Sequence, residues 1–105
     1  MARVTYPFER PEGKLIEKLI DHDVVAINHI TLPGGDEVPE HEANSNVYLI
    51  ILRGEMTLRL TGQEEKHAGG TVVAVDYGTR MHIRNTSGEI LEFFVVKAPS
   101  PRLME

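Results

Sequence analysis

Apolar residues alternate with polar ones over most of the chain, in short runs broken by turn residues. Pro33-Gly34-Gly35, Gly54-Glu55, Thr61-Gly62, Gly69-Gly70, Tyr77-Gly78 and Ser87-Gly88 punctuate the sequence at roughly the spacing of an all-β sandwich or barrel. Residues 24–32 are rich in β-branched side chains and predict a strand. Residues 55–60 place Met56, Leu58 and Leu60 on one face, and residues 71–75 and 90–96 predict further strands. Residues 47–52 are apolar on both faces, which fits a strand covered on both sides. Pro99 and Pro101 end the last strand, because proline cannot donate to a ladder. Leu15, Ile16, Leu19 and Ile20 have helical spacing, but the run is too short to choose between one helical turn and an edge strand.

Two segments carry more than periodicity. The first runs from Gly35 through His41 to Gly54, and the second from Gly70 through Gly78 to Asn85. Their spacings resemble the two motifs of the cupin family, G-x5-H-x-H-x3,4-E-x6-G and G-x5-P-x-G-x2-H-x3-N. The resemblance implies a single domain over residues 1–105, folded as an antiparallel jelly-roll barrel. Metal-binding cupins hold their ion with three His and one Glu. Here only His41 remains of that set: the second His falls on Ala43, the Glu on Val47 and the last His on Met81. The Pro of the second motif falls on Asp76.

A catalytic metal needs at least three protein ligands. Ala43 and Val47 offer none, and the Met81 thioether is a soft donor that suits Cu(I). The resemblance therefore implies a barrel without the standard metal centre, and no cofactor is expected. A one-residue shift would bring His82 into the position of Met81, but it would turn every side chain of that strand over and break the spacing to Gly78 and Asn85.

Composition narrows the partners. The chain has 105 residues, 41% hydrophobic and 26% charged, as in ordinary globular domains. The net charge is −5 and the basic residues are scattered, so no phosphate-neutralising patch is visible and no nucleic acid is expected. The absence of cysteine excludes disulfides and thiolate chemistry and fits the cytoplasm. The longest apolar run, residues 47–52, falls far short of the roughly 20 residues that span a bilayer, so no membrane is expected.

These residues predict an apolar ligand pocket formed by His41, Ala43, Val47 and Met81, with His29 beside His41 if it points inward, and Tyr48 or Arg80 at the mouth. His41 is its titratable group, suited to act as a base or a hydrogen-bond donor. The leading reading is a small-molecule-binding cupin of unassigned activity. One alternative is a cupin-type metalloenzyme, a dioxygenase or isomerase, with a divalent metal on His41 plus His29 or His82. Another is a homodimeric interaction module. Cupins commonly pair through an outer sheet face, and the runs at 47–52 and 93–96 would suit such a homodimer.

Overall fold

The structure is a computed structural model and describes residues 3–104. Among the described residues nine strands follow one another: β1 Leu15–Asp21, β2 Ala26–Leu32, β3 Glu37–Glu42, β4 Val47–Arg53, β5 Glu55–Leu60, β6 Gln63–Ala68, β7 Thr71–Val75, β8 Arg80–Arg84 and β9 Leu91–Lys97. They form an antiparallel jelly roll of two sheets, ordered β1-β2-β9-β4-β7 and β3-β8-β5-β6.

The ambiguous segment 15–20 is an edge strand, not a helical turn. Its helical spacing was misleading, because the register slips between Lys18 and Ile20 and a bulge moves the apolar residues off strict alternation. The one helical turn among the described residues lies at the other end, a 3-10 turn at Pro101–Leu103.

The two inner faces enclose the core. Leu32 on β2, Leu49 and Ile51 on β4, Leu58 on β5, Ile83 on β8 and Phe93 on β9 meet there. β4 and β9 are interior strands of their sheet; on the outer face Phe8 packs on Phe94 of β9, while Tyr48 and Leu52 of β4 stay exposed. By contrast, β3 and β6 are edges. The Gln-Glu-Glu-Lys run that opens β6 and Pro39 within β3 blunt those edges against further pairing.

Two turns explain their sequence. Gly54 joins β4 to β5 at φ 85°, and a methyl group there would strike the backbone of Ile90 and Leu91. Asn85 is buried and closes the loop after β8. Its Nδ2 donates to the carbonyls of Leu32 and Glu89, at 2.8 and 2.7 Å, and its Oδ1 accepts from the backbone N–H and the hydroxyl of Ser87.

The segment before β1 crosses the outer face of the five-stranded sheet. Phe8 packs edge-on against Phe94 with ring centroids 5.1 Å apart, and the Thr31 hydroxyl donates to the carbonyl of Gly13 at 2.8 Å.

Candidate functional site

A cavity of about 140 Å³ lies between the inner faces of the sheets. Alternation along each strand decides what reaches it. Val47 comes from β4, Met81 and Ile83 from β8, and Val95 from β9. His41 enters from β3, directly across from Met81. The His41 Nδ1 lies 2.9 Å from the carbonyl oxygen of Pro39. A nitrogen facing a carbonyl donates, so in the neutral ring Nε2 carries the lone pair. His41 can thus take a proton, or a hydrogen bond from a ligand, through Nε2.

Two polar residues in the wall were not singled out from the sequence. Asn28 on β2 faces inward beside Ile30, and its Oδ1 is buried without a hydrogen-bond partner. Lys97 ends β9, between Ala26 and Val47 on the neighbouring strands. Burial, and after it the charge of Lys18, hold the Lys97 ammonium below its ordinary pKa. The signal for Lys97 was present as period-two phase: Leu91, Phe93, Val95 and Lys97 share one face, and the first three are core.

Several expected site residues lie elsewhere. Ala43 is buried in the core but does not line this cavity. It lies past the end of β3 and borders a separate surface hollow with Asn44 and Tyr77. His29 does not approach His41. It alternates with the inward-facing Asn28 and Ile30, and so projects from the opposite face of β2. His82 likewise points outward between the buried Met81 and Ile83, with Nε2 3.2 Å from a Glu37 oxygen. Tyr48 lies on the outer face of β4, and Arg80 is exposed beside Glu40.

The donor set therefore does not fit the metal centre that the motif carries in other cupins. His41 is a lone imidazole among Val47, Met81 and Ile83. The alternative pairings with His29 or His82 fail because those rings leave from opposite outer faces. Among the described residues no three His, Asp or Glu side chains gather in a way that could hold a metal ion.

His29 has other company. Its Nε2 is 2.7 Å from Glu92 Oε2, and its Nδ1 is 2.8 Å from Glu17 Oε1. Glu92 Oε1 accepts from Arg10 at 2.6 Å and from Arg53 at 2.9 Å. Both His29 and Glu92 are fully buried. Phe8 and Phe94 flank the imidazole at centroid distances of 4.6 and 5.2 Å. Burial alone would raise the pKa of Glu92, but hydrogen bonds from His29, Arg10 and Arg53 hold it below the ordinary carboxylate range. This cluster clamps the N-terminal segment onto the outer sheet.

Known proteins agree with this architecture. The chain is 47% identical over 104 residues to an uncharacterized protein of Methanocaldococcus jannaschii, covering 97% of this chain and 90% of that protein. It superposes on the crystal structure of an RmlC-like cupin family protein with a double-stranded beta-helix fold from the same organism. The TM-score is 0.95 at 45% identity, with 99% of this chain and 97% of that one covered. A crystal structure of a predicted oxalate decarboxylase from Thermotoga maritima matches at TM-score 0.70 and 26% identity, over 79% of this chain and 78% of that one. The cupin domain family matches residues 28–97, from the inward-facing Asn28 to Lys97. With that match, the paired glycine motifs and the jelly-roll topology, the chain belongs to the cupin family, as a small member in which most metal-ligand positions are substituted.

Proposed function

We propose that this protein is a small-molecule-binding cupin that works without the family's standard metal centre. The carrying observation is the cavity of about 140 Å³, apolar over most of its wall and provided with three polar groups, His41, Asn28 and Lys97. Few convergent polar groups in an apolar hollow are the usual make-up of a ligand site, and this one is smaller than the roughly 300 Å³ at which drug-sized pockets begin. Its ligand is therefore a molecule of few heavy atoms. The unpartnered Asn28 Oδ1 is an acceptor that an occupant of the cavity can satisfy, since buried acceptors in native proteins are normally satisfied. The lack of cysteine supports a reducing compartment, the cytoplasm.

Thermal-shift screening of small alcohols, carboxylates and carbonyl compounds tests the reading. A ligand at a hundredfold its Kd should stabilise the fold by about 2.7 kcal/mol. His41→Ala should fold nearly as well as wild type and lose that stabilisation. Retained binding would remove His41 from the site. Protein purified without chelator should carry far less than one equivalent of any first-row metal, and a stoichiometric metal would overturn the reading.

The outer face of the five-stranded sheet supports a second part of the reading, a homodimer. Ile50 sits between Val72 and Phe94 there, Tyr48 between Ala74 and Val96. Val72 is 62% exposed, and Tyr48 and Leu52 are also open to solvent. Contiguous apolar surface of this kind is uncommon on monomers. Two copies pairing these faces would cover it. Sedimentation velocity should give a dimer, and Ile50→Lys should shift it to monomer. A monomeric wild type at micromolar concentration would sink this part.

A further inference from the structure

Lys97 has a setting that ligand binding alone does not explain. It lies on the inner face of β9, opposite Val47, the position that carries the Glu ligand in the first motif. It borders the barrel cavity, and on its other side a hollow lined by Lys18, Asp21, Asn28 and Arg102. The charged groups around it are accounted for. Arg102 is committed to Asp21 and Asp23, at 3.0 and 2.6 Å, and Lys18 leans toward Asp21 at 3.9 Å. His41, across the cavity, is bonded to Pro39. Burial and the charge of Lys18 both lower the Lys97 pKa, and the carboxylate of the hollow, Asp21, is engaged by Arg102 and Lys18. A partly buried amine beside a like charge, at the rim of a mostly apolar cavity, is an arrangement that favours a neutral, nucleophilic lysine.

We propose that Lys97 is a reactive amine that binds small aldehydes or ketones covalently, as an imine, inside the barrel. This rests on the reading of the barrel as a small-molecule site and names its ligand class. In the step, the nitrogen lone pair forms a C–N bond to the carbonyl carbon, and the C=O π pair moves to oxygen. That oxygen takes one proton from the nitrogen and one from a solvent acid and leaves as water. The product is a protonated imine, which restores at nitrogen the positive charge that the free ammonium carried. No oxidant or reductant takes part. The alkyl part of the carbonyl compound would lie against Val47, Met81 and Ile83.

The test uses pentanal with cyanoborohydride at neutral pH. The reagent delivers hydride to the imine and fixes it as a pentylamine, which intact mass and peptide mapping locate. A lowered pKa raises an amine's neutral, nucleophilic fraction at pH 7. Lys97 should therefore label several-fold faster than Lys14, Lys18 and Lys66, and Lys97→Met should lose that adduct while labelling of the other sites persists. Labelling of Lys97 at the rate of Lys14 and Lys66 overturns the proposal. Pentan-1-ol, which cannot form an imine, separates the two ideas. If it raises the Tm of wild type and of Lys97→Met while Lys97 shows no selective labelling, the barrel binds small molecules and the covalent step is wrong. If neither pentanol nor pentanal shifts the Tm and Lys97 labels like the others, both readings fail.

Discussion

Glu92→Ala is expected to destabilise the protein by about 3 kcal/mol, more than a surface ion pair could account for. Glu92 is fully buried on the outer face of β9, yet it accepts hydrogen bonds from His29, Arg10 and Arg53. The two arginines retain access to water, and can be resolvated when the carboxylate is removed. His29 is fully buried, and would be left with one nitrogen facing nothing. An orphaned buried group carries its full desolvation cost. The N-terminal segment would lose its anchor at Arg10 as well. At roughly 4 °C or more of Tm per kcal/mol for a chain of this size, the loss should exceed about 12 °C. A loss under about 1 kcal/mol would mean that the cluster contributes no more than a surface pair. Glu92→Leu combined with His29→Phe should recover much of the stability, since apolar replacement of a whole buried cluster is often nearly neutral.

The same residue gives a pH dependence. Its folded-state pKa is depressed, so the unfolded chain binds the proton more readily. The stability it supplies is present above the ordinary carboxylate value, about 4.3, and is lost as pH falls through the lower folded value. Urea unfolding of wild type and Glu92→Gln should show a stability gap that is full at pH 6 and narrows on acidification below about pH 4. A gap independent of pH would place the effect in packing instead of charge.

Phe93→Ala should cost about 3–5 kcal/mol. Phe93 sits on the central strand β9, with Ile30 on one neighbouring strand and Ile51 on the other, and is fully buried. Both neighbours are paired to a strand on either side, which restrains them from collapsing into the space, and a cavity term adds to the lost transfer energy. Phe93→Leu keeps most of the volume and should cost about 1.5 kcal/mol or less. Urea denaturation checks both: the midpoint should fall sharply for alanine and slightly for leucine, with the slope unchanged. A loss below about 1 kcal/mol for Phe93→Ala would show that the sheets close around the gap.

The strands that alternate or bury both faces were legible in the sequence. Residues 55–60 coincide with β5 and residues 71–75 with β7, while β2 and β4 differ from the reading by two and one residues at one end and β9 by one residue at each end. Strand β6 was not legible from periodicity: it reads Gln-Glu-Glu-Lys-His-Ala and forms because β5 offers it a ladder, not because it buries a face. The segment 15–20 was undecided, and the pairing with β2 settled it as a bulged edge strand.

For the site, the chain's own residues determined a great deal. They carried the fold through their resemblance to the two cupin motifs, whose glycine and asparagine spacings fall at corners of the jelly roll. They determined the missing donors too, because Val47 and Met81 cannot act as a carboxylate and an imidazole whatever their surroundings. Tertiary structure alone decided which way each histidine faces. In a strand a one-residue change of phase sends a side chain to the opposite face, and one sequence does not say which face of β2 is inner. So His29 left the cavity for a buried cluster with Glu92, and Asn28 took the inward position. It also decided the setting of Lys97, which the sequence shows only as a polar residue in phase with Leu91, Phe93 and Val95. That setting depends on Val47, Ala26 and Lys18, brought beside it by three different strands, and long-range pairing of that kind is fixed only when the sheets close.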